Sequence, residues 1–195
     1  VFDGRQADER VMVDVNQGWE LPTATRMVRA LGEFPLSWIE EPLAADRPAW
    51  EWAQVAGNSL APLAAGENLR GALDFHQALA GCHLGVVQPD CCKWGGASAT
   101  LPVARAIVAS GRAYCPHFLG GGIGQLASLH LLAAVRGNGM LEMDANLNPL
   151  RSLLVDPVLR VAEGMVAMPA GPGLGIEPEI QDFEQYLVSM TSRST

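Results

Sequence analysis

LSWIE, residues 36–40, runs four largely apolar positions into a carboxylate, Glu40, with Glu41 directly behind it. The same construction recurs on both sides of it. VMVD ends on Asp14, PLAAGE on Glu67, GVVQPD on Asp90, AYCPH on His117 and GMLE on Glu142. These six polar side chains stand 23 to 27 residues apart. That interval holds one strand, one helix and two loops, given mean strands of about 5–6 residues and helices of about 11–12. A chain that repeats strand and helix at this pace, with a polar group at every strand end, has the pattern of an α/β fold made of consecutive (β/α) barrel units. Such barrels keep their chemistry at the C-terminal ends of the strands, so the six groups are expected to share one mouth.

The strands are predicted at about 11–16, 36–41, 61–67, 84–90, 112–117 and 139–143. Helical patterns fill the gaps. Thr23–Leu31 follows Pro22, and Arg47–Ala56 follows Asp46 as its expected N-cap. Ala72–Ala80 ends at Gly81, Ala97–Ser110 ends at Gly111 with Pro102 inside it, and Gly124–Val135 ends near Gly137. After Leu150 the Gly/Pro-rich stretch VAEGMVAMPAGPGLGIEPE reads as a hairpin and loop, followed by a short helix at about 178–190. Six units do not close a barrel that needs eight strands. An open one leaves long unpaired edges, which natural proteins avoid. The remaining units are therefore expected before Val1, in a longer polypeptide or an unrecorded N-terminal part.

At 195 residues and 49% hydrophobic content the chain can bury a substantial core. No run approaches the ~18 unbroken apolar residues of a membrane span, and the N-terminus is not a signal peptide. A net charge of −8 argues against nucleic acid, which attracts a basic stripe. The four cysteines, Cys82, Cys91, Cys92 and Cys115, form no C-x-x-C pair and read as free thiols of a cytoplasmic protein. Cys115, two residues before His117, shares its strand face.

Asp14, Glu40 and Glu67 end three successive units. Three carboxylates in one mouth repel one another unless a cation lies between them, and oxygen-only ligands select a hard ion, Mg²⁺ or Mn²⁺, over zinc. Strand alternation lets only one of Glu40 and Glu41 face the mouth, and spacing does not choose between them. Asn16 and Asn68 flank two of the ligands and can orient them. Asp90, His117 and Glu142 end the next three units. A histidine beside a carboxylate is held in one tautomer and can exchange a proton with carbon or with a leaving hydroxyl. Glu142, kept protonated among negative charges, can hydrogen-bond a substrate carboxylate. Lys93, three residues after Asp90, points away from the mouth if the strand stays regular. His76, His83 and His130 read as structural.

These residues resemble the C-terminal barrel of the enolase superfamily, in its mandelate racemase-like subgroup, which also borders the muconate lactonizing enzymes. The matching stretches are VDVNQGW (13–19), WIEEPL (38–43), AAGENL (64–69), QPDCCKWGG (88–96), PHFLGGGIG (116–124), LEMD (141–144) and PGLGIE (172–177). The resemblance implies a (β/α)7β modified TIM barrel, of which residues 1–195 supply strands three to eight. It implies that residues 160–195 pack back on an N-terminal capping domain that this sequence lacks. It favours Glu40 over Glu41, making Asp14, Glu40 and Glu67 the Mg²⁺ ligands and Asp90 with His117 the base dyad. Glu142 becomes the group that hydrogen-bonds the enolate oxygen, and Asn16, Asn68 and Lys93 support the ligands or meet substrate. Asp90 stands where the sister subgroup carries a lysine, which argues for the His–Asp subgroup.

The implied reaction abstracts the proton alpha to a carboxylate and gives a metal-stabilised enediolate. Loss of a beta-hydroxyl then makes an acid-sugar dehydratase, a lyase, and reprotonation makes a racemase or epimerase of a 2-hydroxy acid, an isomerase. Dehydration is preferred because many relatives with this dyad are dehydratases. The family's Lys-x-Lys pair on the second strand is absent from this sequence. The expected partner is a small-molecule carboxylate such as an acid sugar, with no nucleic acid or membrane partner, in a homo-oligomer of the kind relatives form.

Two rivals stand beside this reading. Gly122-Ile123-Gly124-Gln125-Leu126-Ala127 fits the dinucleotide pattern G-x-G-x-x-G/A, with Glu142 twenty residues beyond Gly122 in the ribose-binding place, but it leaves Asp14, Glu40, Glu67 and Asp90 unexplained. A catalytically silent barrel fragment serving as a scaffold is the alternative from another class.

Overall fold

The computed structural model describes residues 2–4, 6, 8–81, 83–156, 159–178 and 180–189. Among them five strands alternate with five helices: β1 (Met12–Asp14), α1 (Leu21–Leu31), β2 (Trp38–Glu40), α2 (Ala49–Ala56), β3 (Leu63–Ala65), α3 (Ala72–Ala80), β4 (Val86–Val87), α4 (Gly96–Ala109), β5 (Ala113–Tyr114) and α5 (Gly122–Val135). The sheet runs in chain order, and every neighbouring pair is parallel. This is the expected α/β architecture. Its strands are shorter than predicted, because the chain leaves the ladder two or three residues before Glu67, Asp90 and His117.

Register divides the sheet into two faces. Ile39, Leu63, Ala65, Val87 and Tyr114 are all at most 4% exposed and pack outward against the helices. Trp38, Ala64, Val86 and Cys115 form a second cluster on the inner face, with Met12, Ala113 and Met140 against it. Burial on both faces explains why the strands read as continuous apolar runs rather than alternating ones. On α1, Ala24 and Val28 lie one turn apart and face the sheet, while Pro22 occupies the first turn.

Four expectations need correction. Asp46 does not cap α2. The N-cap is Pro48, without a side-chain cap bond, and Arg47 lies outside the helix, where it pairs with Glu51 at 2.6 Å. Residues 139–143 form no strand. The segment lies along β5, but Met140 N–H donates to Cys115 Sγ at 3.3 Å instead of to a ladder carbonyl. Gly139 approaches the Tyr114 carbonyl so closely that any Cβ would collide with it. An unpredicted helix, α6 (Pro149–Val155), packs on α5, and Leu126, Leu129, Val155 and Leu159 make a third cluster there. The last predicted helix is a 3-10 helix at Ile180–Tyr186, and residues 179 and 190 of its expected span lie outside the described residues.

The hairpin is present. β6 (Val161–Ala162) and β7 (Met165–Val166) pair antiparallel through Glu163 (φ 51°) and Gly164 (φ 71°). Two consecutive left-handed residues are what the right-handed twist of a two-residue hairpin asks for. No helix among the described residues is long and apolar enough to cross a membrane.

Candidate active site

Asp14 and Glu40 are register partners on β1 and β2, so both carboxylates issue from the inner face at the strands' C-terminal ends. Glu40 accepts a hydrogen bond from Trp38 Nε1 at 3.0 Å. Asp14 is exposed and accepts from the Asn16 amide at 2.8 Å. The register partner of Glu40 on β3 is Ala64, and Glu67 follows beyond the strand. Glu67 therefore reaches the group from a loop rather than from matched register. Glu41 turns away from regular strand geometry, with φ 41° and 1% exposure, and Asn68 Nδ2 donates to its carboxylate at 2.9 and 3.0 Å. Burial, and next the repulsion of Glu67, Asp14 and Glu40, raise the Glu41 pKa to about 7 against the pull of the Asn68 hydrogen bond.

His117 is the hub of the other half. Its Nδ1–H donates to Asp90 Oδ2 at 2.8 Å and its Nε2–H to Glu67 Oε2 at 2.7 Å. Burial alone would depress the imidazole, but these two hydrogen bonds outweigh it and raise the pKa to about 10. The hydrogen bond from His117 lowers Glu67 to about 2, with burial opposing and Lys93 assisting. Asp90 is also lowered, since the His117 contact and the Cys92 and Lys93 amides overcome its burial. Lys93 corrects the expected orientation. Residues 91–95 form a turn, and Nζ comes to 3.1 Å from Glu67 Oε1.

Glu142 comes to the same region from the extended segment. Its Oε2 accepts from the Phe118 amide at 2.9 Å, and its carbonyl accepts from Gln125 Nε2 at 2.8 Å. Burial raises its pKa, and the Phe118 amide partly opposes this. Gln125, fully buried, is a positioning contact that periodicity does not reveal, since it sits inside the G-x-G-x-x-A stretch. The glycines of that stretch have packing roles. A Cβ at Gly122 would meet Leu154 Cβ at 2.5 Å, and one at Gly124 would strike the Phe118 ring and meet Cys92 Sγ at 2.8 Å. Asn16, with φ 48°, begins the turn out of β1.

His83 stacks on Trp52 at 5.7 Å, and His130 Nε2 lies 3.3 Å from the Leu174 carbonyl, so both have structural contacts. A cavity of about 820 Å³ opens on the outer side of the sheet between α2 and α3. Asn68 reaches its wall, but Asp90, Glu67 and His117 do not line it.

The donor set suits a hard divalent cation, because Asp14, Glu40 and Glu67 offer only carboxylate oxygens. Among the described residues no three His, Cys, Asp or Glu side chains close around a single point at ligand distance. Glu67 is instead turned to its internal cations, Lys93 and His117.

The family model for enolase C-terminal domain-like proteins matches residues 4–182. A D-galactarolactone cycloisomerase from Agrobacterium fabrum is 33% identical over 178 residues, covering 87% of this chain and 47% of that protein. The crystal structure of a mandelate racemase/muconate lactonizing enzyme from Bordetella bronchiseptica RB50 superposes with a TM-score of 0.87 at 51% identity, covering 93% of this chain and 51% of that one. An L-talarate dehydratase from Polaromonas sp. JS666, solved with Mg and L-glucarate, gives 0.76 at 31% identity, with 88% of this chain and 45% of that one covered. The chain thus spans about half the length of the proteins it matches.

Proposed function

The chain belongs to the enolase C-terminal domain-like family, and on that premise we propose that it removes the proton alpha to the carboxylate of an acid sugar and expels a beta-hydroxyl. Its strand–helix units correspond to the C-terminal barrel portion of these enzymes. The observation that carries the proposal is His117, buried between Asp90 at 2.8 Å and Glu67 at 2.7 Å.

Asp90 fixes the imidazole by its Nδ1–H and leaves Nε2 to work. In the present arrangement the Glu67 contact holds His117 charged; His117 would act as a base with Asp90 retained on Nδ1 and Nε2 released from Glu67. His117 Nε2 then takes the alpha proton, leaving an enediolate, and returns that proton to the beta-hydroxyl as the C–O bond breaks. Water departs, and the enol becomes a 2-keto acid. Glu142, raised toward its protonated form, donates to a substrate carboxylate oxygen where charge accumulates. Asp14, Glu40 and Glu67 would hold Mg²⁺, which supplies Lewis-acid stabilisation of the developing dianion. Asn16, Asn68 and Lys93 set the charge and orientation of these ligands. The hairpin, with Val161 58% and Met165 68% exposed, is assigned to packing against a capping domain.

A cycloisomerase reading is favoured by the name of the Agrobacterium relative. It shares the proton abstraction but conserves the mass of the substrate, whereas dehydration loses water. Incubating the full chain with an acid-sugar and sugar-lactone library and Mg²⁺, with product masses recorded, separates the two. Retention of mass with inversion at the alpha carbon would point to a racemase. Turnover and Mg²⁺ binding are both expected to vanish in Glu67→Gln, and Mg²⁺ binding that survives that change would overturn the ligand assignment.

A further inference from the structure

Glu41 has no part in the chemistry above, yet it is 1% exposed and left-handed, a conformation glutamate adopts rarely. Its peptide is pinned on both sides. Glu41 N–H donates to the Ala64 carbonyl at 2.9 Å, and its own carbonyl accepts from Gln17 N–H at 2.8 Å. In a regular strand the side chain after Glu40 would point to the helix-covered face. The left-handed turn instead brings the Glu41 carboxylate to Asn68. There one nitrogen, Asn68 Nδ2, lies 2.9 and 3.0 Å from the two Glu41 oxygens and 3.0 Å from Glu67 Oε1. An amide nitrogen carries two hydrogens, one for each carboxylate. A flipped amide would turn its oxygen toward both anions, so this orientation is the one the pair permits.

We propose that Glu41 is a positioning residue: it locks the Asn68 amide, and the second hydrogen of that amide fixes the direction of the Glu67 carboxylate toward His117 and the cation site. The proposal rests on Glu67 being a cation ligand. Strain at residue 41 is the backbone feature that makes this contact possible, and it is stored at the site where orientation matters.

The test uses the full chain carrying Glu41→Gln, Glu41→Leu or Asn68→Ser. Three quantities are read: the ¹⁵N shift of His117 Nε2 in metal-free protein, the Mn²⁺ dissociation constant by electron paramagnetic resonance, and the melting temperature. Glu41→Gln keeps an oxygen for Asn68 and is expected to match wild type in the first two. Glu41→Leu is expected to move the His117 signal and to weaken Mn²⁺ by about tenfold or more, the usual cost of losing a residue that orients a ligand. Asn68→Ser, too short to span both carboxylates, reaches the same result without altering the strained position, should Glu41→Leu not fold. A fall in melting temperature with the His117 signal and Mn²⁺ affinity both unchanged would overturn the proposal. If wild type binds no Mn²⁺, the cation reading fails, and the His117 signal still decides whether Glu41 orients Glu67.

Discussion

His117 and Glu67 are joined at 2.7 Å, Nε2 to Oε2, so one buried imidazole ties the acidic group at β1–β3 to the loops that follow β4 and β5. Each partner moves the other: the histidine is raised to about 10 and the glutamate lowered to about 2. The pair compensates internally for negative charge that a cation would otherwise neutralise.

His117→Asn should therefore separate chemistry from metal binding. A positioned acid–base group contributes on the order of 10²–10⁴ in rate, so turnover should fall by at least about a hundredfold. Glu67 loses a competitor, and Mn²⁺ affinity should be undiminished. Keto-acid formation and a Mn²⁺ titration of the variant check both halves, and normal turnover would remove the dyad from the mechanism.

Lys93→Met tests the same competition from the other side. Lys93 Nζ sits 3.1 Å from Glu67 and is about one-third exposed, so the pair is screened and worth on the order of 0.2–1 kcal/mol. Removing it should tighten Mg²⁺ by up to about fivefold, the factor that ~1 kcal/mol corresponds to. Weaker Mg²⁺ binding in this variant would mean that Lys93 supports the occupied site instead of competing for Glu67.

The six polar positions were legible because each follows an apolar run at the spacing of one strand–helix unit. What happens after each run was not. Periodicity carries no sign of the left-handed residues Asn16, Gln17 and Glu41 that bend the chain out of β1 and β2. The apolar runs at 61–67, 84–90 and 112–117 continue to their polar residues, whereas the ladder stops at Ala65, Val87 and Tyr114 and loops do the presenting. Strand alternation points Lys93 away from the mouth, whereas the turn at 91–95 brings it to Glu67. Glu142 ends an apolar run that forms no strand, and its anchors, Phe118 and Gln125, are distant in sequence. Helix α6 is seven residues long, too short for an apolar period to announce itself.

Gly66→Ala should damage the site through the backbone. Gly66 has φ 148°, and a Cβ there would lie 2.6 Å from Gln88 N and 2.8 Å from Gln88 C, both main-chain atoms that cannot rotate away. The methyl would push β3 from β4 directly before Glu67 and Asp90. A backbone held in such a region costs on the order of 1–3 kcal/mol. At roughly 2–4 °C per kcal/mol for a chain of this size, melting should fall by several degrees. Turnover should fall with it, because the two displaced residues both touch His117. Unchanged melting would show that the strands separate without cost.

His83→Phe should change how stability follows pH without touching the acidic cluster. Burial lowers the His83 pKa, the Gly81 backbone partly opposes this, and the charge of Arg112 reinforces it. The unfolded chain then binds a proton more readily than the fold does, so stability rises with pH. The contribution of neutral His83 is complete above the unfolded value of about 6.5 and is lost as pH falls from there through the lowered folded value. Phenylalanine keeps the stack on Trp52 and binds no proton. Its melting temperature relative to wild type should therefore be constant above about pH 7 and climb as the solution is acidified toward pH 5. A difference that stays level across that range would show that His83 pays no desolvation cost on folding.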